Sequence, residues 1–148
     1  MKRETILKII DFLKEKEGKE IPEAWFDSIR KLNLVKELEN HPDGVQYRYE
    51  GYLDLRGTNI TKLPDNLYVY ESLILKNCKQ LTKLPDGIHV GETLIIIGTS
   101  IEEIPDNLNI GWNLFIGNTP LANKYTDEEI YEMIKLRGGK IINDIIRL

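Results

Sequence analysis

Residues 51–70 read GYLDLRGTNITKLPDNLYVY, and the same order of residue types recurs about three and a half times over residues 51–122. Leu53 opens the first copy, and Leu73, Leu94 and Leu114 open the copies that follow. Self-similarity with a period near twenty residues is the signature of a solenoid, in which each copy forms one coil. The sequence therefore predicts stacked coils and a binding surface more than a catalytic centre.

A Pro-Asp pair marks the same place in each copy, and its prolines follow one another at steps of 22, 21 and 20 residues. Proline fixes φ and lacks an N–H donor, so each pair predicts a turn where the chain leaves a strand. The residue after each pair is Gly or Asn, which tolerate a positive φ. The prolines are Pro42, Pro64, Pro85 and Pro105, and the residues after each pair are Gly44, Asn66, Gly87 and Asn107.

Aligning the copies on these pairs places apolar residues in columns. One coil cannot enclose such residues, but stacked coils bury each column as a ladder, at about 1.5–3 kcal/mol per side chain. The Leu-x-Leu piece alternates inward and outward side chains, which predicts a short strand, with successive strands parallel and about 4.8 Å apart. Three of the columns are Leu53, Leu73, Leu94, Leu114; Leu55, Leu75, Ile96, Ile116; and Val69, Val90, Ile110.

This pattern, Leu-x-Leu-x-x-Thr/Cys and then Ile/Leu-x-x-Leu-Pro, resembles the leucine-rich repeat family, in the short Leu-Pro form of bacterial effectors and small phage-encoded proteins. The resemblance implies a leucine-rich-repeat solenoid, of α/β class, with short parallel β-strands. Some bacterial members carry a ubiquitin-ligase domain, but no segment here matches one. Where many members place an Asn that bonds the turn backbone, this chain has Thr58, Cys78, Thr99 and Thr119.

Three segments follow from this reading: an N-terminal helical cap with a β-hairpin over residues 1–50, repeats over 51–122, and a C-terminal helix and tail cap over 123–148. Apolar residues at helical spacing predict a helix from Arg3 to about Lys16, ended by Gly18. Pro22 suits the start of a second helix. Its apolar stripe is Trp25, Phe26, Ile29 and Leu32. An exposed partner-binding arm is the alternative reading of these two helices.

Two readings fit residues 34–49. Leu34–Glu39 and Val45–Tyr49 flank a Pro-Asp-Gly turn, which predicts a β-hairpin. The spacing of Leu34, Val35 and Leu38 also fits a helix that continues to Asn40. We favour the hairpin, with His41 as a surface turn residue.

At the other end, Thr126 and Glu129 form a capping box that predicts a helix, with Ile130, Met133 and Ile134 facing inward. Gly138-Gly139 closes this helix. The isoleucine-rich tail from Lys140 to Leu148 must be covered, either as a strand on the last coil or as a helix.

Composition excludes several classes of partner and compartment. The net charge is −4 and the pI is about 5.3, so the chain has no basic footprint and we expect no nucleic-acid partner. Charged residues near the start of the chain interrupt the apolar core that a signal peptide needs. No apolar run reaches a membrane-spanning length. We therefore expect a cytoplasmic protein without a membrane partner.

Motifs for catalysis are missing, and we expect no enzyme activity and no cofactor. The sequence holds no Gly-rich phosphate loop, no Gly-x-Ser-x-Gly elbow and no paired Cys or His at metal spacing. Cys78 is the single cysteine and reads as a small buried hydrophobe. The repeated aspartates Asp65, Asp86 and Asp106 would line one edge, where turn capping explains them and a hard cation is the alternative.

The outward strand positions are free of the fold's packing constraints, and here they include an apolar stripe. An exposed stripe of this kind marks an interaction site more often than an accident. We therefore predict a protein partner, with the resemblance implying an inhibitor of a bacterial or host defence protein. A self-associating scaffold that forms a homodimer through the stripe is the alternative, as is a stripe covered by the tail. The predicted partner-binding residues are Tyr52, Asp54, Arg56, Ile74, Lys76, Ile95, Ile97 and Phe115.

Overall fold

A computed structural model describes Glu4, Leu7, Lys8, Asp11 and residues 23–148. Apart from those four positions, the helix predicted from Arg3 to Lys16 lies outside the described residues, as do Gly18 and Pro22. The described chain forms a parallel β-solenoid of about three turns with a few helices.

Helix α1 spans Glu23–Glu39, so the predicted β-hairpin over residues 34–49 is wrong. Val35 and Leu38 are buried in the core, because their three-residue spacing puts both on one face of the helix. The Asn40 side-chain amide then donates a hydrogen bond to the Lys36 carbonyl oxygen at 2.8 Å, at the end of the helix. The helical alternative for this segment is therefore the one that the structure bears out.

Each coil contributes two short strands, and successive coils align them into two parallel five-stranded sheets. The sequence predicted one strand per coil, so the second was missed. The first sheet holds β1 (Arg48–Tyr49), β3 (Tyr68–Val69), β5 (His89–Val90), β7 (Asn109–Ile110) and β9 (Lys140–Ile141). The second sheet holds β2 (Leu53–Asp54), β4 (Leu73–Ile74), β6 (Leu94–Ile95), β8 (Leu114–Phe115) and β10 (Ile145–Ile146).

The core lies between the sheets and the Leu-Pro segments, and its apolar columns are stacked as predicted. Leu75, Ile96 and Ile116 are all fully buried in one cluster. Leu73 pairs in register with Leu94, and Leu94 pairs with Leu114. Successive coils therefore bury each other's apolar side chains, which no single coil could do.

The Pro-Asp turns also stack. Asn66 and Asn107 have positive φ angles of 58° and 55°, and Gly87 has 72°, as the sequence predicted. The backbone amides of these turn residues donate to the next coil. For example, Asn66 N–H donates to Asp86 O and Gly87 N–H donates to Asp106 O, both at 2.9 Å. The turns thus form a continuous backbone ladder along one side of the solenoid.

The C-terminal region forms one more, longer coil. It passes through helix α2 (Pro120–Lys124) and helix α3 (Asp127–Leu136) before entering β9. The predicted capping box is present, because Thr126 accepts from the Glu129 amide and Glu129 from the Thr126 amide. Ile130 and Ile134 are buried, and Gly138 has a φ of 76° where the helix ends.

The tail adopts the strand alternative. Ile145 and Ile146 of β10 pair with Leu114 and Phe115 of β8. The Tyr131 hydroxyl of α3 accepts a hydrogen bond from the Ile145 amide at 3.1 Å, so a helix side chain satisfies one amide of the last strand.

Arg147 ties the last strand to both C-terminal helices. Its Nε donates to Asp127 Oδ1, and its two terminal nitrogens donate to the carbonyl oxygens of Ala122 and Tyr125, each at 2.6 Å. Three bonds from one rigid guanidinium fix the position of β10 against α2 and the start of α3.

Candidate protein-binding surface

The strand face is the outward side of β2, β4, β6, β8 and β10. Along each strand a buried leucine or isoleucine precedes a half-buried residue, so the alternation predicted for Leu-x-Leu is present. Parallel pairing in register then places equivalent outward residues of successive coils side by side, about 4.8 Å apart.

An apolar column runs along the middle of the strand face. Ile74 pairs in register with Ile95, and Ile95 pairs with Phe115. Ile146 of the tail pairs with Phe115 and adds a fourth member that sequence reasoning missed. The four side chains are half-buried, with one side open to solvent. The tail therefore lengthens the stripe, and the idea that it covers the stripe is wrong.

Charged residues occupy the start of this face. The Arg56 guanidinium donates to Asp54 Oδ2 at 2.7 Å, and the Arg56 amide donates to Asp54 Oδ1 at 3.0 Å. Burial raises the pKa of Asp54, but the bonds from Arg56 and the nearby charge of Lys31 outweigh it, so the net pKa lies below its usual value. Asp54 is therefore ionised at neutral pH, and the pair replaces an apolar contact at the sheet edge.

The remaining predicted residues flank the column. Lys76 is exposed and Ile97 is half-buried, and both occupy the outward position just after the apolar column. Gly117 holds the equivalent place in the next coil, where a Cβ would lie 2.3 Å from the Leu148 carbonyl oxygen. Tyr52 is 61% exposed in the link before β2. The structure thus brings all eight predicted residues onto the strand face or its margin.

Size limits what this face can bind. Five strands about 4.8 Å apart, with about three outward residues each, present only a few hundred Å². A stable protein complex buries about 800 Å² on each partner. A tight complex must therefore also use the neighbouring loops or a second surface.

Cys78 is fully buried, as the sequence predicted. Its thiol donates to the Leu55 carbonyl oxygen of the preceding coil at 3.0 Å, and burial raises its pKa, so it stays protonated near neutral pH. In the same column, the hydroxyls of Thr99 and Thr119 donate to the carbonyl oxygens three residues earlier, at 2.8 and 2.6 Å. The thiol and hydroxyl groups of this column therefore hydrogen-bond backbone carbonyl oxygens at the position where the resemblance implies an Asn.

The Pro-Asp aspartates serve the turns. Asp86 Oδ1 accepts a hydrogen bond from the Asp106 amide at 3.0 Å, and Asp106 forms an ion pair with Arg137 at 3.1 Å. Within the part of the chain that the structure describes, no group of three or more His, Cys, Asp or Glu residues is placed to hold a metal ion. The shallow groove beside this row, about 570 Å³, mixes lysines and carboxylates and selects no ligand charge.

No protein-family model, curated protein or solved structure matches this chain. None of the helices in the described residues is both long enough and apolar enough to cross a membrane.

Proposed function

We propose that this chain is a non-enzymatic module that binds a protein partner through the strand face and its adjoining loops. The observation that carries the proposal is the apolar column, in which Ile74, Ile95, Phe115 and Ile146 lie in register on adjacent strands. The fold does not require apolar residues there, because the inward residues of the same strands already form the core.

The energetics support binding by this column. Complete burial of an isoleucine or phenylalanine side chain contributes about 1.5–3 kcal/mol, and these side chains are already half-covered by their neighbours. A partner that covers the rest of the column gains part of that amount at each position. Lys76, at the side of the column, and the charges of Asp54 and Arg56, at its end, supply a polar rim that sets the orientation.

The resemblance to leucine-rich repeats agrees with this proposal, because stacked-coil proteins use extended surfaces of this kind to bind partners. The phage and effector examples suggest, as a further part of the proposal, that the partner is a bacterial or host protein that this chain blocks. We propose no catalytic residue for that action, since occupying a partner's surface is enough to inhibit it.

Affinity capture from a bacterial lysate tests the proposal. Wild type is compared with Ile95→Asp and Phe115→Asp, and Leu136→Asp serves as the control because Leu136 is 81% exposed on α3. We expect both strand-face variants to lose the partners that wild type and the control retain, with unchanged circular dichroism and melting temperature. Equal recovery by all four proteins, with intact folds, overturns the proposal.

Self-association is a second candidate function, and the continuity of the apolar column, whose members pair in register, favours it. A two-fold axis passing between Ile95 and Phe115 would lay the column against its own copy, apolar on apolar. Light scattering across a range of concentrations separates the two functions. A dimer that Ile95→Asp converts to monomer supports self-association, and a concentration-independent monomer excludes it.

A further inference from the structure

A second surface lies outside the strand face, where each coil crosses from one sheet to the other. The three-residue links stack on one another through backbone hydrogen bonds, such as Glu92 N–H to Glu71 O at 3.1 Å and Trp112 N–H to Glu92 O at 2.8 Å. We call this surface the link strip. It comprises residues 50–52, 70–72, 91–93, 111–113 and 142–144.

Large apolar side chains are concentrated on the link strip. Tyr52, Tyr70, Trp112 and Ile142 are 61%, 43%, 52% and 55% exposed. They make up half of the eight large hydrophobic residues that are exposed in the described part of the chain. A linking segment needs no aromatic residue to make its turn, so the fold does not account for this concentration, and exposed apolar patches are typical of interaction surfaces.

Two glycines separate the side chains of Tyr70 and Ile142 along the link strip. Gly91 and Gly111 hold the places between Tyr70 and Ile142 in the same column. An added Cβ would lie 2.0 Å from the Tyr70 carbonyl oxygen at Gly91 and 1.9 Å from the Gly91 carbonyl oxygen at Gly111. Close backbone stacking therefore excludes a side chain at both positions, and Tyr70 and Ile142 lie about 14 Å apart along the column.

The charge of the link strip is entirely negative. Its residues include Glu50, Glu71, Glu92 and Asp144 and contain no lysine or arginine. Glu71 and Glu92 are adjacent in the stacked links, and neither forms an ion pair within the described residues. Like charges side by side in a ladder are unfavourable, and a cationic partner relieves that repulsion.

An arginine already contacts aromatic side chains at and beside the link strip. Arg48 places its guanidinium 4.9 Å from the centre of the Tyr68 ring and donates to the Tyr70 hydroxyl at 3.1 Å. Guanidinium groups stack on aromatic faces more often than ammonium groups do. They also pair with carboxylates through two parallel hydrogen bonds in a planar fork, a geometry that an ammonium group does not have. We propose that the link strip binds an arginine-rich segment of a protein partner, with Trp112 and Tyr70 stacking on arginine and Glu71 and Glu92 pairing with it.

Binding of short labelled peptides tests this proposal. The probes are an eight-residue peptide of alternating Arg and Ser, its Lys-Ser counterpart and a Glu-Ser counterpart. Fluorescence anisotropy measures their binding at low and high salt. We expect the Arg-Ser peptide to bind more tightly than the Lys-Ser peptide, and the Glu-Ser peptide not to bind. Trp112→Ala and the double variant Glu71→Gln/Glu92→Gln should each weaken binding by about tenfold.

Two control variants make comparable changes elsewhere. Leu136→Ala removes an exposed apolar side chain, and Glu128→Gln removes an exposed charge, both on α3, and both should bind as wild type does. Equal affinity for the Arg and Lys peptides, equal weakening in the controls, or no binding at all overturns the proposal. Phe115→Asp should leave peptide binding unchanged, so this result is independent of the strand face.

Discussion

Ile146 lies directly beside Phe115 in the second sheet, although 31 residues separate them in the chain. The last strand therefore belongs to the same outward face as the repeats. We expect Ile146→Asp to lower partner capture as much as Phe115→Asp does, because each variant adds a charge to the same apolar column. Capture on immobilised protein measures this, with Leu136→Asp as control. If Ile146→Asp captures the partner fully while Phe115→Asp does not, β10 lies outside the contact.

Truncation after Tyr125 should make the chain insoluble. The amides of Leu114 and Ile116 donate to the Asp144 and Ile146 carbonyl oxygens, both at 2.9 Å, and the removed segment also supplies buried Ile130. Its loss exposes an apolar coil end and an open strand edge. Soluble yield and a thermal melt measure the effect. A soluble, sharply melting chain that ends at Tyr125 would show that α3 and the tail are dispensable.

Gly91→Ala should destabilise the fold by about 2–4 kcal/mol, because the new methyl group meets a backbone carbonyl oxygen that cannot move alone. Gly57→Ala is the comparison: its φ is 70°, but no atom lies within 4 Å of the added carbon. That variant should lose only about 1–2 kcal/mol from the left-handed backbone. Denaturant unfolding measures both, and equal losses would contradict close stacking of the links.

His89 gives the fold a pH dependence in the mildly acidic range. Burial lowers its pKa below 6.5, with the ring stacked 4.2 Å from that of Tyr68. The folded state then binds a proton less readily than the unfolded chain, so the stability from neutral His89 is complete above pH 6.5 and falls as pH drops through the folded pKa. His89→Phe should remove this dependence and His41→Gln should keep it. A His89 NMR titration at or above 6.5 would contradict the prediction.

Much of the solenoid could be predicted because its residues repeat. Leu75, Ile96 and Ile116 share a column in the sequence and are all fully buried in the structure. The turn residues Asn66 and Gly87 were predicted from the conformations that only a few residue types tolerate. The same residue types recur in each coil because each coil packs against neighbours of the same shape.

Features that depend on pairing between coils or on distant segments were harder to predict. The strand Tyr68–Val69 is two residues long, and its sheet depends on pairing between coils that no single copy displays. The tail lies 31 residues beyond its partner strand, so the repeat period could not identify β9 and β10 as further members. The helix through Leu38 was misread because the local Pro-Asp-Gly turn signal was given more weight than the apolar spacing before it.

Hydrogen–deuterium exchange tests the strand face most directly, using the purified partner recovered by wild type but not by Ile95→Asp. We predict that binding slows exchange in the peptides that contain Ile74, Ile95, Phe115 and Ile146, and leaves the Leu-Pro turns at Pro64 and Pro85 unchanged. Slowed exchange confined to those turns or to α1, with no change along the apolar column, would contradict the account.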